Sequence, residues 1–403
     1  MMRCARRILC ALVCITGTLH AQRAPVLGTW NGRSVCTIPS SPCTTETVVY
    51  DILPDTSAKH DPARLVMNAD KIVNGAREFM GTLVLTHWRL YRRIEVVRQR
   101  AISRTDDESV RVLTITPGIT ATIVAPLPAR SPVDLIFYAL PNGNSTAETM
   151  GRALRADSSV GWRFDIQHIA AQTRALRTRG LPGAVVVYLE ADGKSWPAWR
   201  AKLGYPAANA RLVTVLDSLR HLLGDPPHVT LTGHSGGGSL MFGFLEGQAA
   251  IPSWLERIAF LDAVYNFDGA THSAKLLDWL HGDPRRMLVS LAYDDREIML
   301  DGKKVVSDSG GTWRATDRML RAFTAAGVPL VRDTLGAFER HRAPQMEILR
   351  HPNPQNRILH TEMIGEMNGY MHALLTGRAG YGEAVAVLRP VRMYMGFVRD
   401  SVP

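Results

Sequence analysis

From Ser109 onward the chain alternates between short, continuous apolar runs and longer stretches with helical periodicity. The runs VRVLTIT (110–116), ITATIVAP (119–126), VDLIFYAL (133–140), GAVVVYL (183–189), HVTLTGH (228–234), ERIAFL (256–261) and RRMLVSLAY (285–293) are rich in β-branched and aromatic residues, with Gly, Pro, Asn or Asp at most of their ends. Runs that are apolar at nearly every position, rather than at every second one, predict strands covered on both faces. Between them, helices are predicted near Asp165–Thr178, Ala208–Leu223, Gly236–Glu246, Lys275–His281 and Arg314–Ala326. Strands and helices in alternation predict an α/β architecture, a doubly wound and mostly parallel sheet.

The earlier part of the chain has a different rhythm. Between Trp30 and Thr86, short β-prone runs (TVVYDIL, RLVMNA, DKIVNG, FMGTLVLTHW) follow one another without helical stretches, and Asn74–Gly75 has the composition of a hairpin turn. Gly28, Trp30, Gly32, Ser34 and Cys36 form a G-x-W-x-G-x-S-x-C pattern that resembles small extracytoplasmic β-domains; no function follows from it. Trp88–Arg104 carries six arginines against one glutamate. Leu90, Ile94, Val97 and Ala101 would share one face of a basic amphipathic helix, and a strand with a solvated arginine face fits as well. The expected organisation is a β-rich domain with its basic linker over 22–104 and an α/β domain over 105–403.

Composition adds a setting. The 403 residues are 46% hydrophobic and 21% charged, an ordinary globular balance, with a formal net charge of +10. Part of that charge sits in MMRCARR, which precedes the apolar run ILCALVCITGTL and a small residue, Ala21. The order of basic, apolar and small residues predicts a signal peptide over 1–21 and a secreted or periplasmic protein. No later segment is apolar for long enough to span a bilayer. Removing the leader takes Cys4, Cys10 and Cys14 with it and leaves Cys36 and Cys43, an even pair expected to form a disulfide in an oxidising compartment. A basic secreted protein is expected to meet an anionic cell-envelope surface rather than nucleic acid. No metal-ligand spacing and no cofactor loop stands out, so neither is expected.

The chemistry concentrates in VTLTGHSGGGSL, Val229–Leu240. Gly233-His234-Ser235-Gly236-Gly237 fits G-x-S-x-G, placed between a predicted strand and a predicted helix, the context of a nucleophile elbow. With this motif and the surrounding alternation, residues from about 109 to 395 resemble the α/β-hydrolase superfamily. That resemblance implies acyl transfer by a Ser–acid–His triad on ester or amide bonds, with a carboxylic ester favoured and a small-molecule or polymer-linked acyl group as substrate. Ser235 is the expected nucleophile and Gly236 one oxyanion donor. Downstream acids at strand ends are Asp262, Asp294 and Asp295. The later strand is where the superfamily usually carries the acid, so Asp295 is preferred, with Asp262 and Asp294 as alternates. For the base, His372 follows the Asn368-Gly369 turn and is preferred; His360, in a strand-like apolar run, is the alternate. His234 is expected to pack behind the serine. The second oxyanion donor is expected from Asn142 or Gly143, after the strand ending at Leu140. Trp196 and Trp199 either wall the pocket or bury their loop on the core. The competing reading is a hydrolase-like binding protein of the cell envelope without activity.

Overall fold

A computed structural model describes residues 28–34, 46–54, 65–73, 75–85, 95–104, 107–154, 161–381 and 388–402. The expected leader, Cys36 and Cys43 lie outside these residues. The chain divides into two units, Met1–Tyr91 and Arg92–Pro403. In the first, β1 (Gly28–Ser34), β2 (Glu46–Pro54), β3 (Leu65–Val73) and β4 (Ala76–Leu85) form an antiparallel sheet in chain order. Val73 pairs with Ala76 across a tight hairpin in which Gly75 takes φ +81, a conformation that glycine adopts without steric cost. Val48, Val49 and Ala69 are buried in this sheet.

The second unit is built on an eleven-stranded sheet. Its centre is six parallel strands: β8 (Asp134–Ala139), β9 (Ala184–Ala191), β10 (His228–His234), β11 (Arg257–Leu261), β12 (Met287–Tyr293) and β17 (Met346–His351). The seven apolar runs read from the sequence all fall on strands of this sheet. In β8, β11 and β12 every residue is buried, as continuous apolar strands require. Both edges are antiparallel. On one side stand β7 (Ile119–Pro126), β6 (Glu108–Thr116) and β5 (Glu95–Arg104); on the other, the hairpin of β15 (Val331–Leu335) and β16 (Phe338–Ala343) leads into β17. A two-stranded ribbon, β13 (Met299–Leu300) with β14 (Lys303–Lys304), stands apart. The basic run is therefore a strand from Glu95 on, and its pairing with β6 ties it to the second unit rather than to the β-rich one.

The helices fall into two sets, each packed within itself. One comprises α3 (Trp196–Leu203), α4 (Tyr205–Leu222), α5 (Gly237–Glu246), α6 (Gly269–His281) and α7 (Thr312–Ala325); the other comprises α1 (Thr146–Met150), α2 (Ile169–Arg177) and α8 (Gly369–Leu375). Strand order is β7-β9-β8-β10-β11, so the chain leaves β8 toward β9 and leaves β10 in the opposite sense toward β11. Where the winding reverses, the loops after two neighbouring parallel strands diverge and leave a crevice at their carboxyl ends. Leu140–Asn144 and Ser235–Gly236 both leave the sheet at that point.

Candidate active site

β10 ends at His234 and α5 starts at Gly237, so Ser235 and Gly236 form the entire connection. Ser235 takes φ 54, the left-handed region that costs a non-glycine residue about 1–2 kcal/mol. Its N–H donates to the Leu261 carbonyl at 3.3 Å, and its carbonyl accepts the Gly238 N–H at 3.0 Å. The motif glycines answer close approaches. A Cβ on Gly237 would lie 2.3 Å from the Ala139 carbonyl oxygen, and one on Gly236 would lie 2.1 Å from Oδ1 of Asn142. The second distance also locates Asn142: its carboxamide sits against Gly236, at the N-terminus of α5, where the first amides have no intrahelical acceptor.

Asp262 directly follows β11, across from the elbow, since His234 pairs with Leu261. It too has left-handed backbone, φ 47, and is fully buried. One carboxylate oxygen lies 2.5 Å from Nδ1 of His360. The other accepts a short hydrogen bond from the Thr312 hydroxyl. With a carboxylate at Nδ1, the imidazole keeps its proton there and leaves Nε2 able to accept one. His360 lies in a turn segment between β17 and α8, with its side chain about one quarter exposed. The ring of His234 packs against it, tilted by 37° at 4.4 Å between centroids, and Nε2–H of His234 donates to the His360 carbonyl at 3.0 Å. Burial, with His360 close by, holds the His234 imidazole well below its usual pKa, so it stays neutral. The residue preceding the serine thus anchors the backbone that carries His360.

Asp295 follows β12 and stands beside this cluster without joining His360. Its Oδ2 accepts the Thr312 N–H at 2.7 Å. Burial, and then the neighbouring Asp262 carboxylate, push its pKa up to about 6. A raised folded-state pKa means that Asp295 favours the fold when protonated, and that this contribution is lost as pH rises from its ordinary value of 3.8 through 6. Asp295→Asn, neutral throughout and still able to accept from Thr312, is expected to match wild type near pH 4 and to exceed it in stability at pH 8 by roughly 2–3 kcal/mol. Denaturant midpoints at the two pH values check this; a gap that does not widen with pH contradicts it.

The other residues singled out in the sequence are engaged elsewhere. His372 lies inside α8, buried, with Nε2 2.8 Å from Glu347, itself buried on β17. Burial pushes the Glu347 carboxyl up, but hydrogen bonds from His372 and Thr376 outweigh it and hold the group below its usual range. Asp294 accepts from Nε and Nη2 of Arg296 at 2.8 and 2.7 Å. Gly143 donates its N–H to the Lys194 carbonyl at 2.8 Å, and its carbonyl accepts from Arg163 at 3.0 Å, so this amide is committed to bracing its own loop. Trp196 and Trp199 are buried in α3, edge to face, with Nε1 of Trp199 donating to the Pro117 carbonyl.

Two side chains of the cluster were not singled out from the sequence. Thr312, the first residue of α7, reaches both carboxylates from a Gly-Gly-Thr helix start that carries no chemical signature. Tyr265 lies three residues beyond Asp262, on the loop after β11. Burial, followed by the Asp262 and Asp295 carboxylates, raises its phenol well above the ordinary range. Among the described residues, no cluster of three or more His, Cys, Asp or Glu side chains is arranged to hold a metal ion, and no helix is long and apolar enough to cross a membrane.

No protein-family model matches the chain. No curated protein matches it either. Among solved structures it is similar to a cold-adapted esterase from an Arctic intertidal metagenomic library, at 14% identity and a TM-score of 0.35 over 62% of this chain and 87% of that one. It is similar to a thermophilic esterase of the planctomycete Thermogutta terrifontis, at 11% identity and a TM-score of 0.36 over 72% and 98%. A thermostable esterase from Pseudomonas putida gives 15% identity and a TM-score of 0.27 over 60% and 72%. At such scores the likeness carries no weight for the chemistry, which rests on the geometry of Ser235, Asp262 and His360.

Proposed function

We propose that this protein is a serine hydrolase that cleaves a carboxylic ester by acyl transfer. Ser235 is the nucleophile, His360 the general base and Asp262 the acid that orients it. The observation that carries this reading is the Asp262–His360 pair, 2.5 Å apart, at the strand end facing a serine in a left-handed elbow. The reaction follows from what each group can do. Nε2 of His360 takes the Ser235 proton as Oγ bonds the ester carbon, and buried Asp262 stabilises the imidazolium that forms. The Gly236 N–H and Asn142 receive the developing oxyanion, aided by the positive end of α5. The carbon–oxygen bond to the leaving alcohol then breaks, and His360 returns its proton to that oxygen. Water repeats the sequence to release the acid. The leader-like N-terminus makes a secreted or periplasmic setting part of the proposal.

A fluorophosphonate probe tests the central claim because it reacts with an activated serine whatever the natural substrate. Labelling is expected on Ser235 of the wild type and absent in Ser235→Ala. An unlabelled wild-type protein would instead favour a binding protein on the same scaffold.

A further inference from the structure

At the end of the central strands away from Ser235, a cavity of about 550 Å³ opens between the start of β6, the end of β7, the C-terminus of α2 and residues 396–399. Arg130, Arg174, Arg177 and Arg399 line it, together with Asp107. Glu108, almost fully buried beside them, accepts from Nε and Nη2 of Arg174 at 2.9 and 2.8 Å, from Nη1 of Arg399 at 3.1 Å, and from Nη1 of Arg177. These four N–H groups fill the places that the two oxygens of a carboxylate offer. Arg399 also pairs with Asp107. Arg130 is exposed and makes no hydrogen bond or ion pair among the described residues.

Four guanidiniums thus meet two carboxylates, and two positive charges are left over around the cavity. A guanidinium cannot shed its proton to relieve that excess, and it carries five N–H donors. Glu108, Asp107 and the carbonyls of Phe397 and Ala184 take only part of the donors on Arg174, Arg177 and Arg399. The cavity therefore presents donors and positive charge without a matching acceptor. We infer that it is a binding site for a phosphate group, carried as a monoester. Such a group has a charge of about −1.5 to −2 at neutral pH and three acceptor oxygens, which match the surplus charge and the forked geometry of arginine. A single carboxylate would leave half of the surplus unmatched. Because Glu108 and Pro126 pair at the end of the sheet remote from the elbow, the site holds a ligand and takes no part in ester cleavage.

Titration calorimetry with inorganic phosphate, at neutral pH and low salt, tests the site. Saturable uptake of one phosphate per chain is expected. Arg130→Ala should weaken it about 10-fold, the worth of one charge-assisted hydrogen bond, and Arg130→Glu should abolish it. Both variants should melt like the wild type in phosphate-free buffer, because Arg130 bonds to nothing among the described residues. Two further probes separate the sources of the phosphate. Displacement by glycerol 3-phosphate alone would assign a soluble monoester. Co-sedimentation with phosphatidylcholine vesicles containing phosphatidic acid, lost in Arg130→Glu, would assign a lipid headgroup. A wild type that takes up no phosphate, or uptake that Arg130→Glu leaves unchanged, overturns the inference. Neither result touches the hydrolase reading, which the fluorophosphonate labelling of Ser235 decides separately.

Discussion

Replacing Ser235 with alanine is expected to lower kcat/KM by about 10⁴- to 10⁶-fold and to leave the fold intact. The size of the loss follows from the order of events: without Oγ no acyl-enzyme forms, and what remains is whatever the oxyanion donors and substrate binding do for direct attack by water. The fold should survive because the change is confined to one half-buried hydroxyl. The left-handed backbone at φ 54 costs alanine about what it costs serine, and the bonds that hold the turn, to the Leu261 carbonyl and from the Gly238 N–H, are made by the main chain. Near-wild-type turnover in a variant with a normal melting curve would remove Ser235 from the mechanism.

The second expectation separates the two histidines. His360→Ala should cost nearly as much turnover as Ser235→Ala, since members of a triad act as one unit, and it should lower the melting temperature as well, because fully buried Asp262 loses its imidazole and keeps Thr312. Asp262→Asn should cost about 10³- to 10⁴-fold, through loss of orientation and of charge stabilisation. In turnover His372→Ala should behave in the opposite way. Nε2 of His372 meets Glu347 inside the core, and removing one partner of a buried pair costs about 3–5 kcal/mol, so the melting temperature should fall by several degrees while the folded fraction still turns over substrate. Turnover and melting curves of the three variants decide the matter. A folded but inactive His372→Ala beside an active His360→Ala would reverse the assignment.

The sequence reading preferred His372, whereas the structure pairs His360 with Asp262 and His372 with Glu347, and the difference has a physical source. His360 and His372 both sit among apolar residues, Ile358-Leu359 and Tyr370-Met371, and local pattern treats them alike. In the structure the run around His360 bends through successive turns that bury Leu359, Met363 and Ile364 while leaving the imidazole at the surface. The Asn368-Gly369 signal, read as a loop, starts α8 instead and carries His372 inward. The acid was equally ambiguous: Asp262 and Asp295 both end strands, and only the distance to His360 separates them. Of the two residues expected after β8, Asn142 lies against Gly236, while the Gly143 amide is spent on Lys194, a bond between residues that no local pattern connects.

What the sequence determined by itself was whatever local geometry encodes. Continuous β-branched runs with helices between them specify strands buried on both faces, and glycines on either side of a serine specify a turn in which Ala139 and Asn142 can come close. Those properties depend on neighbours within a few positions, so they survive without knowledge of the fold. The tertiary structure alone decided the chemistry around the serine. Asp262 and His360 are 98 positions apart, Asp262 and Thr312 are 50 apart, and Asp262 stands beside the elbow only because β11 lies beside β10. A buried polar group takes its partner from whichever elements the packing brings to it, and that partner, rather than the residue type or its local pattern, settles whether a carboxylate meets a partly exposed imidazole, as Asp262 does, or pairs within the core, as Glu347 does.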